Sequence, residues 1–267
     1  YRLAWPFALA GIASRLYGYA DTFLLKSLAG NAAVGYYSLP YKMTFVFQFI
    51  PLSLIATVYP AFASYWQRDQ EALSKLFTRV CLYLLYVSLP VTIGISMLAE
   101  PIFTTIYGLE YLPSVGAVKI LILTLPWLFL NFPLGYLLNA CHLQKKNTRN
   151  IIIVTVLNVL GNLYFIPRYE FIGASFMSLV STMMLFVMGA AYARHLVTLD
   201  WRLIGGKIMG LIASLVAMWL VIGLIAELSI IVIIPVAMLV YGIMMIVTRT
   251  VTNLEIAFLF NSLRKTS

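Results

Sequence analysis

Apolar residues run along this chain in long stretches separated by short polar breaks, near 4–29, 40–64, 80–99, 116–141, 150–167, 171–193, 204–226 and 229–248. A helix needs about 17 to 25 apolar residues to cross a hydrocarbon core of roughly 30 Å, whereas barrel strands alternate over segments of about 10. The pattern therefore predicts an all-α integral membrane protein with about eight transmembrane helices. The longest polar break, 65-YWQRDQEALSKLFTR-79, places Glu71 and Lys75 at i,i+4. It is expected to form a short helix lying at the membrane surface as a connector. Pro51, Pro60, Pro90, Pro126, Pro133 and Pro235 fall within the spans. Each frees a backbone carbonyl and kinks its helix, which a bundle tolerates where a neighbour or water satisfies the group. Such kinks are either fixed shape or the bends of a transporter gate.

Polar positions inside the spans follow the helical period. At 100° per residue Gly11, Ser14, Arg15, Gly18, Asp21 and Thr22 share one arc, and Leu9, Ile12, Leu16, Ala20 and Phe23 occupy the opposite side. Arg15 and Asp21 sit at opposite edges of that arc and roughly 9 Å apart along the axis. Each therefore meets another helix or water rather than its neighbour. Charges at this depth cost about 2.5 to 3.5 kcal/mol each and face a bundle interior or cavity. The plain alternative is an ion pair between helices that only holds the bundle together. A second polar stripe joins Thr124, Asn131, Gly135, Asn139 and His142, and a third joins Thr155, Asn158, Gly161 and Asn162. Any one Asn can be a hydrogen bond between helices worth about 0.6 to 2 kcal/mol. Three polar faces in one bundle favour a shared hydrated interior. His142, beside Lys145 and Lys146, reads as interfacial. Tyr17 and Tyr19 flank the first arc, where they either stack on sugar rings or join the interfacial aromatic belt.

Composition agrees with a membrane chain: of 267 residues 62% are hydrophobic and 10% charged, with a mean hydropathy of +0.94. The net charge of +9 points away from nucleic acid, because about 13 of the 18 Lys+Arg fall in the breaks 65–79, 142–150 and 194–207 and at the two ends. Lys26, Lys42, Lys119 and Arg168 are left for the opposite loops. That asymmetry is the positive-inside signature and predicts both ends in the cytoplasm. Cys81 and Cys141 lie in apolar surroundings and suggest neither a disulfide nor a metal site. With two histidines, no metal-spaced cluster, no phosphate-cradling glycine loop and no serine beside a base, no cofactor is implied and an enzyme is the weaker reading. The chain opens at Tyr1 directly ahead of a span, which predicts that an N-terminal part is missing.

The run 21-DTFLLKSLAGNAAVGYYSLPYKM-43 resembles the segment that opens the second lobe of oligosaccharide flippases in the multidrug/oligosaccharidyl-lipid/polysaccharide exporter superfamily. So do 49-FIPLSLIATVYPAFASYW-66, 106-IYGLEYLPSVGAVKIL-121 and 157-LNVLGNLYFIPRYEFIGASFMSLV-180. Together they cover most of residues 10–195; the last two spans are similar in hydropathy only. The resemblance implies a two-lobe transporter of about fourteen helices. Here residues 1–195 correspond to the six-helix second lobe and 196–267 to two additional helices and a cytoplasmic tail. It further implies alternating access, which carries a polyprenyl-diphosphate-linked oligosaccharide across the cell membrane for surface polysaccharide biosynthesis. The implied partners are that lipid-linked substrate, membrane lipid, the N-terminal lobe and other glycan-assembly membrane proteins.

On this reading Arg15 is the first candidate for a phosphate contact, with Lys42 and Lys119 as further cations near the outer rim. Tyr19, Asn131, Asn139, Asn158 and Asn162 are candidate substrate contacts, and Asp21 matches the acidic position of the family's opening motif as a coupling or gating carboxylate. Many members carry arginine two residues before that aspartate, where this chain has Tyr19. Two rivals stand beside it: a cation-coupled drug exporter of the same superfamily, with Asp21 as the cation or proton site, and a membrane glycan polymerase or ligase.

Overall fold

In the computed structural model, side chains are described for residues 20–199, 201 and 204–251, and the backbone alone for 4–19 and 202–203. Among the described residues eight α-helices follow one another: α1 (Ala4–Phe45), α2 (Phe49–Arg68), α3 (Gln70–Ile106), α4 (Ser114–Ile122), α5 (Leu125–Ala140), α6 (Gln144–Ala193), α7 (Trp201–Leu224) and α8 (Ile230–Val247). Six stretches among the described residues are long and apolar enough to cross a membrane: Ala20–Arg68, Gln70–Ile106, Ser114–Ala140, Gln144–Ala193, Ile204–Leu224 and Ile230–Val247.

Two of these stretches reverse direction. In α1 the break is Gly30, at φ 86° and ψ −178°, a conformation open only to glycine. In α6 it is Glu170, at φ 48° and ψ −128°. The consequence is measurable across each bend. Residues sixteen apart on a straight helix are separated by about 24 Å, yet the Tyr37 hydroxyl lies 2.9 Å from the Asp21 carboxylate. Asn158 and Ser181, on either side of Glu170, are 3.1 Å apart. Small residues let the limbs of α6 close up: a Cβ on Gly173 would stand 2.6 Å from the Phe165 carbonyl oxygen, and one on Gly161 would run into Met177. Counting both limbs of α1 and α6, and the pairs 31–68 and 114–140 as one each, the described residues form eight helical limbs, the number of apolar stretches in the sequence.

The boundaries move. The second pass begins at residue 31 rather than 40, because the chain turns at Gly30 without a loop and stays helical through 31–45. Pro51, lacking an N–H for the carbonyl of residue 47, accompanies a tightening to 3-10 geometry over Val46–Gln48 before α2 resumes. The expected surface connector 65–79 is instead the junction of two long helices. Asp69 leaves helical geometry (φ −153°, ψ 93°), its side chain accepts from the Ala72 N–H at 2.9 Å, and α3 starts immediately. The Glu71–Lys75 ion pair forms as expected, at 2.5 Å, on the first turns of α3. Hydropathy missed these turns because their polar side chains face outward while the backbone remains helical.

Proline-freed carbonyls find partners on other helices. Pro90 cannot bond the carbonyl of Tyr86, and the Tyr241 hydroxyl of α8 donates to that oxygen at 2.7 Å. Pro126 likewise frees the carbonyl of Ile122, which accepts from Thr92 at 3.3 Å. The first of these bonds helps fasten the α7–α8 pair to α3, where Leu82 and Tyr86 pack with Leu211, Leu215 and Met245. Nearer the other end, Leu98, Ile102 and Phe103 pack with Met218, Ile222, Ile233 and Ala237. The larger core joins α2, α3, α5 and the end of α6 through Ile55, Phe62, Phe77, Leu84, Phe129 and Leu137.

Two outcomes follow for thermal unfolding of the intact protein. Tyr241→Phe should destabilise by about 1 to 3 kcal/mol, the cost of a buried carbonyl left without a donor. Combined with Pro90→Ala, which restores the missing N–H, the same change should cost markedly less; equal costs in both backgrounds would refute the pairing. Gly173→Val should lower stability by about 1 to 3 kcal/mol through overpacking against Phe165, whereas Gly94→Ala, with open space around its Cβ, should not.

Candidate functional site

Asp21 is 4% exposed and stands where four helical limbs meet. The first limb of α1 carries it, and the reversal at Gly30 brings Tyr37 beside it from the second limb. The reversal at Glu170 brings Asn162 from one limb of α6 and Ser178 from the other. The Asn162 amide donates to Asp21 Oδ1 at 2.6 Å, and the hydroxyls of Tyr37, at 2.9 Å, and Ser178 both donate to Oδ2. A further shell extends the network: Asn162 also donates to Asn158 Oδ1 at 3.1 Å, and Asn158 donates to Ser181 at 3.1 Å. The Tyr37 and Ser178 hydroxyls are 3.1 Å from each other. Leu25, Ala33, Leu121, Ile166 and Ala174 wall the cluster off with apolar side chains.

Every contact to this carboxylate among the described residues comes from a neutral group. The ion pair weighed from the sequence is absent for Asp21 among those residues, where Glu71–Lys75 is the salt bridge formed. One polar atom of the cluster, Asn162 Oδ1, is buried without a partner. A buried carboxylate surrounded by hydroxyl and amide donors, with amide oxygens close by, has the chemistry to hold a proton or a small cation and to register its arrival as a change in helix contacts.

The other candidates fall in different places. Arg15 and Tyr19 have side chains outside the described residues. Lys42 lies on the second limb of α1, twelve residues and about 18 Å of helix beyond the turn at Gly30. It is exposed on the surface of the chain, as is Lys119, which is five residues into α4. Asn131 donates to the Thr182 carbonyl at 3.0 Å, and Asn139 accepts from Asn147 at 3.3 Å, so the stripe of the fourth pass ties α5 to α6 by direct bonds. The three polar faces do converge on α6, and direct hydrogen bonds between helices join them. Tyr37, Ser178 and Ser181 were not singled out from the sequence. Tyr37 lay in a presumed loop, and only the spacing of Ser175, Ser178 and Thr182 hinted at a polar stripe on the sixth pass.

A family model described as "polysaccharide biosynthesis protein" matches residues 1–116, which hold Asp21, Tyr37 and Lys42 but not the α6 side of the cluster. That segment, somewhat under half of the chain, is what is similar to the family. Among curated proteins, it is 26% identical over 166 residues to the uncharacterized membrane protein MJ1068 of Methanocaldococcus jannaschii, a match covering 61% of this chain and 32% of that relative. The chain thus spans about a third of that relative's length. Among solved structures, lipid II flippase MurJ in an inward closed conformation superposes with a TM-score of 0.74 and 18% identity, covering 91% of this chain and 52% of the other. That likeness is one of fold.

Ser178→Ala should destabilise the protein by about 1 to 3 kcal/mol by removing a donor from a buried carboxylate. Paired with Asp21→Asn in a double-mutant cycle read by thermal unfolding, the two changes should be strongly non-additive. Additive losses would mean that the hydroxyl and the carboxylate act independently.

Proposed function

We propose that this chain forms the second lobe and helix pair of a flippase. In this reading it carries a polyprenyl-diphosphate-linked oligosaccharide across the cell membrane by alternating access and does no covalent chemistry. The observation that carries the reading is the likeness in fold to a lipid II flippase over 91% of the chain, and the similarity of residues 1–116 to a polysaccharide biosynthesis family model supports it. Residues 1–195 form the lobe, 196–267 the added helices and tail, and both chain ends lie in the cytoplasm with the basic helix junctions. The other lobe comes from the remainder of a longer protein, and glycan-assembly membrane proteins are its neighbours.

Asp21 serves as the coupling or gating carboxylate. Four limbs hang on its hydrogen bonds, so binding or releasing a proton or small cation there changes how the limbs of α1 and α6 hold each other. Asn158 and Asn162 serve that carboxylate rather than the substrate, and Asn131 and Asn139 fasten α5 to α6. Lys42 is the described cation best placed for a diphosphate: it is exposed and sits on the limb that also carries Tyr37. Arg15 and Tyr19 are further substrate contacts on the adjacent limb, and Lys119 is a peripheral one.

The test is leaflet transfer of a fluorescent polyprenyl-diphosphate oligosaccharide by the intact protein in proteoliposomes. Asp21→Asn should slow transfer at least about tenfold at normal protein level, and Lys42→Ala should weaken transfer without affecting stability, since Lys42 is exposed. Wild-type protein that moves organic cations and not the glycolipid would assign drug export instead. A changed product chain length with transfer intact would assign a polymerase.

A further inference from the structure

Two cavities adjoin where α6 hands the chain to α7, at the end of the bundle opposite the Gly30 and Glu170 reversals. The first, of about 300 Å³, is apolar and is walled by Cys81 and Leu85 of α3, Leu134 of α5, Phe186 and Ala190 of α6 and Ile208 of α7. The second, of about 260 Å³, is polar and takes in Gln70, Glu71, Ser74, His195 and Thr198. Arg194 and Val197 line both. None of these residues belongs to the Asp21 cluster.

An apolar chamber joined to a polar one by a shared arginine is a site for an amphiphile. The volume of the apolar part reaches the lower end of ordinary ligand pockets, about 300 to 1,000 Å³, and its walls offer hydrocarbon to hydrocarbon. At the joint, Arg194 is exposed and aligned by its neighbour, with Nε donating to His195 Nε2 at 3.2 Å. Glu71, the acid among the described residues of the polar chamber, is already matched by Lys75, so among those residues the free charge facing a ligand is positive. Ser74 is occupied as well, accepting from the Thr198 N–H at 3.0 Å. The same end of the bundle carries Arg68, Arg79, Lys145, Lys146 and Arg149, a field that draws anionic headgroups.

We infer that this joint binds one anionic glycerophospholipid from the adjacent leaflet, with an acyl chain in the apolar chamber and the phosphodiester on Arg194. Guanidinium meets phosphate by paired hydrogen bonds, and the chain fills space that packing leaves between α3, α5, α6 and α7. Such a lipid bridges the six-pass lobe and the start of the helix pair, so it is a fastening part of the protein rather than its cargo. The site is independent of the flippase proposal.

The test is native mass spectrometry of the intact protein taken from nanodiscs holding equal amounts of phosphatidylglycerol and phosphatidylcholine. Wild type should retain one phosphatidylglycerol in preference. Ala190→Trp, which fills the chamber, should lose it, and Arg194→Gln should lower the preference by about tenfold, the order of one charge-assisted hydrogen bond. Equal retention of both lipids by wild type, or unchanged retention in Ala190→Trp, overturns the inference. A second readout does not depend on how the tryptophan variant folds. With Cys141→Ala, labelling of Cys81 by a membrane-soluble maleimide should be slowed by phosphatidylglycerol and unaffected by inorganic phosphate. No protection by the lipid, or equal protection by phosphate alone, overturns it too.

Discussion

A carboxylate in the interior of an apolar bundle must be surrounded by donors, and in this protein that requirement falls on Asp21. Meeting it takes two chain reversals. Tyr37 reaches the carboxylate because α1 folds back at Gly30, and Asn162 and Ser178 reach it together because α6 folds back at Glu170. Two long helices thereby become four limbs around one charge. The packing around the cluster is subordinate to this arrangement: Leu25, Ala33, Ile166 and Ala174 close over it, and Gly173 and Gly161 let the limbs of α6 approach closely enough for Asn162 and Ser178 to share the same acid.

The rest of the bundle obeys a second constraint, that backbone groups inside an apolar slab must find partners within the protein. Where Pro90 and Pro126 break that accounting, side chains from other helices restore it, Tyr241 for one and Thr92 for the other. The same bonds hold α8 to α3 and α3 to the joint of α4 and α5, so the proline positions also set which helices touch. The bundle is thus a set of helices tied together at a few polar points, and the α7–α8 pair is fastened along α3.

The number of passes, the membrane class and the basic end of the bundle were legible in the sequence, because each depends on averages over about twenty residues: apolar length against hydrocarbon thickness, and the count of Lys and Arg between spans. The importance of Asp21 was legible too, since a charge on the polar arc of an apolar helix has few inexpensive places to be. Its partners were only half legible. Asn158 and Asn162 stood out as amides at helical spacing, but Tyr37 was hidden in a stretch taken for a loop. The lone hydroxyls of Ser178 and Ser181 were indistinguishable from any small residues used for packing. Hydropathy registers a helix where its side chains are apolar and cannot register a reversal made by a single glycine. What the sequence determined was thus the composition of each pass, a local and additive property. What only the tertiary structure decided was which passes share a hydrogen bond, because that depends on where two backbones turn, and one residue at positive φ moves a side chain about 24 Å along its helix from solitude to contact.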